Sequence, residues 1–125
     1  VPTGSDAGAA LFASAGCASC HVPAMPKRGG GAVTLYSDLL LHDMGAALDD
    51  GVGEGGVASK EWRTPPLIAL SLRQGGETRY LHDGRAATLD EAVRAHGGEA
   101  SRARANYDAL SDADRAKLIE FLGRL

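Results

Sequence analysis

Aromatic side chains are scarce in this chain: one tryptophan, three tyrosines and two phenylalanines among 125 residues, alongside 17 glycines. Such a chain has few large side chains with which to fill an interior, and a flat, apolar cofactor would make good the deficit. Cysteine is nearly absent as well. The two present, Cys17 and Cys20, stand three positions apart, which excludes a secreted disulfide scaffold, normally built on four or more. Basic residues do not exceed acidic ones: 13 Lys and Arg against 16 Asp and Glu leave a net charge of −3. That balance argues against a nucleic-acid partner, because phosphate binding needs a basic face. No apolar run approaches the roughly 20 residues that span a bilayer. No signal peptide is visible, and a start at Val1 rather than Met suggests a processed mature form or an excised fragment. The length predicts a single domain over residues 1–125 with one modest core.

What is present reads as mostly helical, with long loops. A first helix is expected from a Ser5 N-cap through Ala15, with Asp6 at its positive end and Gly16 stopping it. Pro23, Pro26 and Gly29-Gly30-Gly31 mark a loop over 22–34, and residues 51–56, with four glycines, mark a second. Leu40, Leu41 and Met44 share a helical spacing, so Leu35–Met44 is a short helical candidate. Thr64-Pro65-Pro66 fixes an extended turn before the apolar run Leu67–Leu70. Thr88 and Glu91 form a capping box, predicting a helix from about Leu89 to His96 that Gly97-Gly98 ends. A weaker helix signal covers 99–109. Ser111 caps a last helix, Asp112–Leu125, with Leu118, Ile119, Leu122 and Leu125 as its stripe. No β-strand alternation stands out.

The chemistry is carried by Cys17-Ala18-Ser19-Cys20-His21. In c-type haem attachment two cysteines at this spacing form thioethers with the haem vinyl groups, and the next histidine points at the iron. A thioredoxin-like redox pair has the same spacing but belongs in a βαβ pattern, which is missing. A zinc site commonly needs two such pairs, and the chain has one. The reading is therefore one covalently bound haem c, with His21 as first axial ligand.

For the second ligand two candidates stand. Met44, 23 residues beyond His21, is far enough along to reach the opposite haem face and would raise the potential, but it would serve equally well as core filling. His96 shares one helix face with Leu89, Ala92 and Val93, and a histidine on a buried face needs a partner. A helix-terminal histidine bonding the last carbonyls is its plain alternative. Met25 lies too close to His21 to pass around the macrocycle. His42 and His82, each followed by aspartate, could bond a propionate, a backbone group or water, and Trp62, Arg63 and Arg85 could donate to propionates.

Several stretches together resemble the C-terminal haem domain of the bacterial di-haem oxidoreductases, relatives of bacterial di-haem cytochrome c peroxidase and of the di-haem enzyme of methylamine utilisation. They are Leu11-Phe12 through His21, Leu35 through Gly45, Glu61 through Leu67, Tyr80 through Arg85 with Thr88 through Ala92, and His96 through Ala100. They run in the family's order along nearly the whole chain. The resemblance implies a distal ligand on the helix after the His-Asp-Gly-like segment, where relatives carry methionine or tyrosine. Carried onto this chain, that position is His96, 75 residues after His21, whereas Met44 falls where relatives often have an ordinary apolar residue. The departure is the haem count: the family's enzymes use two haems, and this chain has one cysteine pair.

The expectation is thus an all-α, cytochrome c-like fold, helices with long loops around one covalently bound haem, held by Cys17, Cys20, His21 and His96. Its expected role is one-electron transfer in the periplasm or an equivalent exported compartment. It would meet a redox partner protein through the haem edge in a small, transient contact, with no nucleic acid and no membrane span. The alternatives are a peroxidase-like haem enzyme or small-ligand-binding haem protein with a displaceable distal ligand, and a fragment of a di-haem oxidoreductase. A large apolar patch on one face would favour the last of these.

Overall fold

A computed structural model of the chain describes residues 6–73 and 77–125. The first helix, α1, spans Ala7–Ala15 and is capped by Asp6, whose carboxylate accepts from the amides of Gly8 (2.8 Å) and Ala9 (3.2 Å). The expected cap, Ser5, lies outside the described residues. Gly16, at φ 97°, ends α1 in a left-handed turn whose amide returns to the last carbonyls of the helix, and a 3-10 turn over Cys17–Ser19 follows at once.

The other helices are α2 (Leu89–Arg94), α3 (Ser101–Asp108) and α4 (Asp112–Leu122). Thr88 and Ser111 cap α2 and α4 through their hydroxyls, as their sequence positions imply. Helix α4 packs against α1, and the crossing is close because Gly8 has no side chain: a Cβ there would sit 2.5 Å from both the Lys117 carbonyl and Phe121 Cβ. Phe12 and Ala15 of α1, Tyr107 of α3 and Leu118, Phe121 and Leu122 of α4 form the core with Tyr36 and Leu70. Phe12, Tyr36 and Phe121 meet at ring-centre distances of 5.4–6.0 Å in tilted or edge-on pairs. The few aromatic residues are concentrated where packing is decided.

Two expectations fail here. The fold is not all-α, because among the described residues four short strands pair into two antiparallel ladders. Strand β1 (Ala24–Pro26) pairs with β2 (Ala32–Thr34), and β3 (Leu41–Asp43) pairs with β4 (Glu61–Arg63), with His42 opposite Trp62. The cytochrome c-like description of helices and loops alone is therefore withdrawn. Nor is Leu35–Met44 helical. Tyr36 and Leu39 adopt left-handed backbone at φ 54° and 60°, and side chains take over the local hydrogen bonding. The Leu39 amide donates to Ser37 Oγ (2.9 Å) and the Leu40 amide to Asp38 Oδ1 (2.9 Å). Buried Ser37 in turn donates to the Thr64 carbonyl at 2.7 Å, bringing this segment alongside the Thr64-Pro65-Pro66 turn. The helical spacing of Leu40, Leu41 and Met44 is accidental, since Leu40 and Leu41 are 60% and 44% exposed.

Helix α2 ends at Arg94, two residues short of His96, and 97–98 do more than end it. The Gly97-Gly98 backbone lies directly on the segment 43–45. A Cβ on Gly98 would stand 2.1 Å from the Asp43 carbonyl, and one on Gly97 would stand 2.9 Å from the Met44 carbonyl. This contact brings the end of α2 to the end of β3.

Candidate functional site

His21 follows the Cys17–Ser19 turn, and its Nδ1 donates to the Tyr36 carbonyl at 3.0 Å. His96 lies past the end of α2, and its Nδ1 donates to the Ala92 carbonyl at 2.8 Å. A carbonyl can only accept, so in both rings the hydrogen sits on Nδ1 and Nε2 keeps its lone pair. That is the tautomer and orientation a metal-ligating histidine takes. The two rings come within 6.4 Å of each other, centre to centre, at an interplanar angle of 52°. Two imidazoles on opposite sides of one metal, each bonded at about 2 Å, have ring centres roughly 6 Å apart once the ring radii are added. The spacing therefore fits a single iron between them.

Burial pushes both imidazoles below their ordinary pKa, only partly offset by their carbonyl partners. Neutral imidazole is the form that binds metal. Cys17 and Cys20 are free thiols, both half-buried. Burial drives the Cys17 thiol up to about 11. Burial again, then the negative charges of Asp38 and Glu99, raise that of Cys20. Both are thus held as neutral thiols at neutral pH.

Beside this pair lies a cluster that the sequence pattern does not single out. His42 Nε2 is 2.8 Å from Asp38 Oδ2, and its Nδ1 is 2.8 Å from Glu99 Oε2. The second oxygen of Glu99 accepts from the Asp43 amide at 3.0 Å. With a carboxylate at each nitrogen, His42 has two donors to offer only as the imidazolium. Its pKa is raised by the bond to Glu99 first and Asp38 second. Donor atoms of Cys20, Asp38 and His42 lie within 4.8 Å of one another.

The profile of the family described as "Di-haem oxidoreductase, putative peroxidase" matches residues 3–125 of the chain. The chain belongs to this family. Neither a curated protein nor a solved structure matches it. Membership in this family implies haem binding and a haem-related redox role.

The other candidate residues sit elsewhere. Met44 is half-buried, its amide bonded to the Lys60 carbonyl at 2.9 Å and its own carbonyl against Gly97. Met25 is paired with Val33 in the β1–β2 ladder. His82 stacks on Trp62 at 3.8 Å and 15°, while Trp62 Nε1 donates to the Leu48 carbonyl at 2.9 Å. Arg85 is spent on Asp83 and the Ala47 carbonyl. Of the three proposed propionate donors, Arg63 alone keeps its side chain without a protein partner among the described residues. No helix among those residues is long and apolar enough to cross a membrane.

Proposed function

We propose that Cys17, Cys20, His21 and His96 hold one covalently attached haem c and that the chain passes single electrons in an exported compartment. The observation that carries this reading is the pairing of His21 and His96, 6.4 Å apart, with each Nδ1 tied to a backbone carbonyl. A haem held there supplies an iron that cycles between two oxidation states. The protein's part is to keep two neutral imidazoles in place while the charge on the metal changes. The fixed Nδ1 bonds do so, since neither ring can turn without giving up a half-buried hydrogen bond. Two nitrogen ligands give a lower potential than a histidine–methionine pair.

Intact mass under denaturing conditions tests the attachment. The protein matured with haem keeps the mass of one haem after unfolding, and a variant with both Cys17→Ala and Cys20→Ala releases it. Retention of haem mass by that double variant would defeat covalent attachment at these thiols.

A second reading has its own observation. The family is a di-haem one, the chain carries one Cys-x-x-Cys-His motif, and Leu39, Leu40 and Leu41 stand 44%, 60% and 44% exposed in a row. Here the chain is one haem unit of a two-haem peroxide-reducing enzyme, and the leucine run is covered by the other unit. Peroxide consumption separates the two readings: a carrier with both axial positions filled consumes none at catalytic rate.

A further inference from the structure

We infer that His42 is the positioning residue for His96: bridging Asp38 and Glu99, it fixes the distance between the two halves of the histidine pair. This rests on the bis-histidine reading above and adds to it the element that holds the pair together. On one side, Asp38 is anchored to the Cys20-His21 turn, for its amide donates to the Cys20 carbonyl at 2.8 Å. The same segment supplies the Tyr36 carbonyl that orients His21. On the other side, Glu99 stands three residues after His96. Its carboxylate grips β3 at two points, His42 Nδ1 at 2.8 Å and the Asp43 amide at 3.0 Å. Between the two carboxylates His42 is the only connection through side chains among the described residues, and it makes both contacts at once.

Backbone packing brings the two segments together. Gly97 and Gly98 let the turn approach 43–45 but offer no side chain to lock it there. Glu99 supplies the lock, and His42 together with the Asp43 amide is what it locks onto. The imidazolium is required because a neutral imidazole has one donor for two carboxylates. The groups facing it are Asp38 and Glu99, with the Cys20 thiol and the His21 ring beyond. The Asp43–Lys60 pair lies at the strand end, and Glu61 on the paired strand.

The test uses the haem-loaded protein and three chains: the parent, His42→Gln, and the double variant His42→Gln/Glu99→Gln. A lone glutamine at position 42 can donate to Asp38 but turns its amide oxygen toward the Glu99 carboxylate. The second glutamine restores the match, because an amide at position 99 can donate to the amide oxygen at position 42 and still accept from the Asp43 amide. The readouts are the low-spin signature of the ferric protein and the rate at which the ferrous protein binds carbon monoxide, each from pH 5 to 9.

The expected result for the parent is a low-spin spectrum and slow binding that quickens as the pH rises past the raised pKa of His42. His42→Gln should bind carbon monoxide at least tenfold faster at neutral pH, while keeping its covalent haem. The double variant should return most of the way to the parent rate and lose the dependence on pH. Equal binding rates in parent and His42→Gln, with low-spin iron in both, would overturn the positioning role and leave the ligand pair intact. A parent spectrum that is not bis-imidazole would instead strike at the ligand reading itself.

Discussion

At Gly98 a single methyl group has nowhere to go: the backbone is at φ 53°, and an added Cβ would meet the Asp43 carbonyl at 2.1 Å and the Gly45 amide at 2.6 Å. Gly98→Ala should therefore cost about 3 kcal/mol or more, combining left-handed strain with overpacking. A urea titration checks this, and a loss below about 1 kcal/mol would mean the turn relaxes easily. The His42 cluster makes a second prediction at this scale. Its raised pKa means that its contribution is fully present below the ordinary histidine range and is lost as pH rises through the raised value. For Glu99 the bonds from His42 and the Asp43 amide lower the carboxyl pKa. Asp38 would be raised by burial but is held below its ordinary value by bonds from the Leu40 amide and His42. Those two contributions are present above the ordinary carboxylate range and fade as pH falls through the lowered values. Urea midpoints should thus peak between the two ranges, and His42→Gln should flatten the alkaline limb. An unchanged alkaline limb in that variant would show that the clamp contributes nothing to stability.

Among the elements, α1 and α4 make the most direct case. At an ordinary exposed helix position, glycine to alanine stabilises by about 1 kcal/mol. Gly8→Ala should reverse that sign and destabilise by about 1–3 kcal/mol, because the new Cβ lands 2.5 Å from the Lys117 carbonyl and Phe121 Cβ. Thermal unfolding of the variant gives the sign. Much of the helical layer was legible in the sequence: capping residues Thr88 and Ser111 and the stop at Gly16 all act as their residue types imply. The strands were not legible. Each is three residues long, too short to show an alternation, and β3 is specified by its partner β4 and by the Ser37 and Asp38 side chains rather than by its own pattern. Leu40, Leu41 and Met44 offered a helical spacing that the left-handed Tyr36 and Leu39 override. For the candidate site, the cysteine spacing and His21 could be read directly, whereas His96 stood beside Met44 until the family resemblance favoured it. Asp38 and Glu99 could not be read directly, because their meeting at His42 spans 57 residues of chain for Glu99 and depends on the close approach of two glycine turns.

For the whole molecule, the aromatic core and the histidine pair are one construction. Phe12 lies 6.4 Å from His21, and the same ring packs on Tyr36 and Phe121. The surface that positions His21 is therefore also the surface that joins α1 to α4. Truncating Phe121, which is fully buried, should cost about 3–5 kcal/mol and broaden the low-spin signal as well. On the bis-histidine reading, removing the His96 ring should act differently. His96→Ala should leave the core intact while opening a coordination position, giving high-spin ferric iron that binds cyanide and carbon monoxide readily. The measurement that bears most directly on the account is the optical and electron-paramagnetic spectrum of the oxidised, haem-loaded parent protein. Iron shared by His21 and His96 predicts a low-spin, bis-imidazole spectrum with no methionine–iron charge-transfer band. A spectrum with that band would assign the position to a methionine, and high-spin iron would show that His96 does not reach the metal at all.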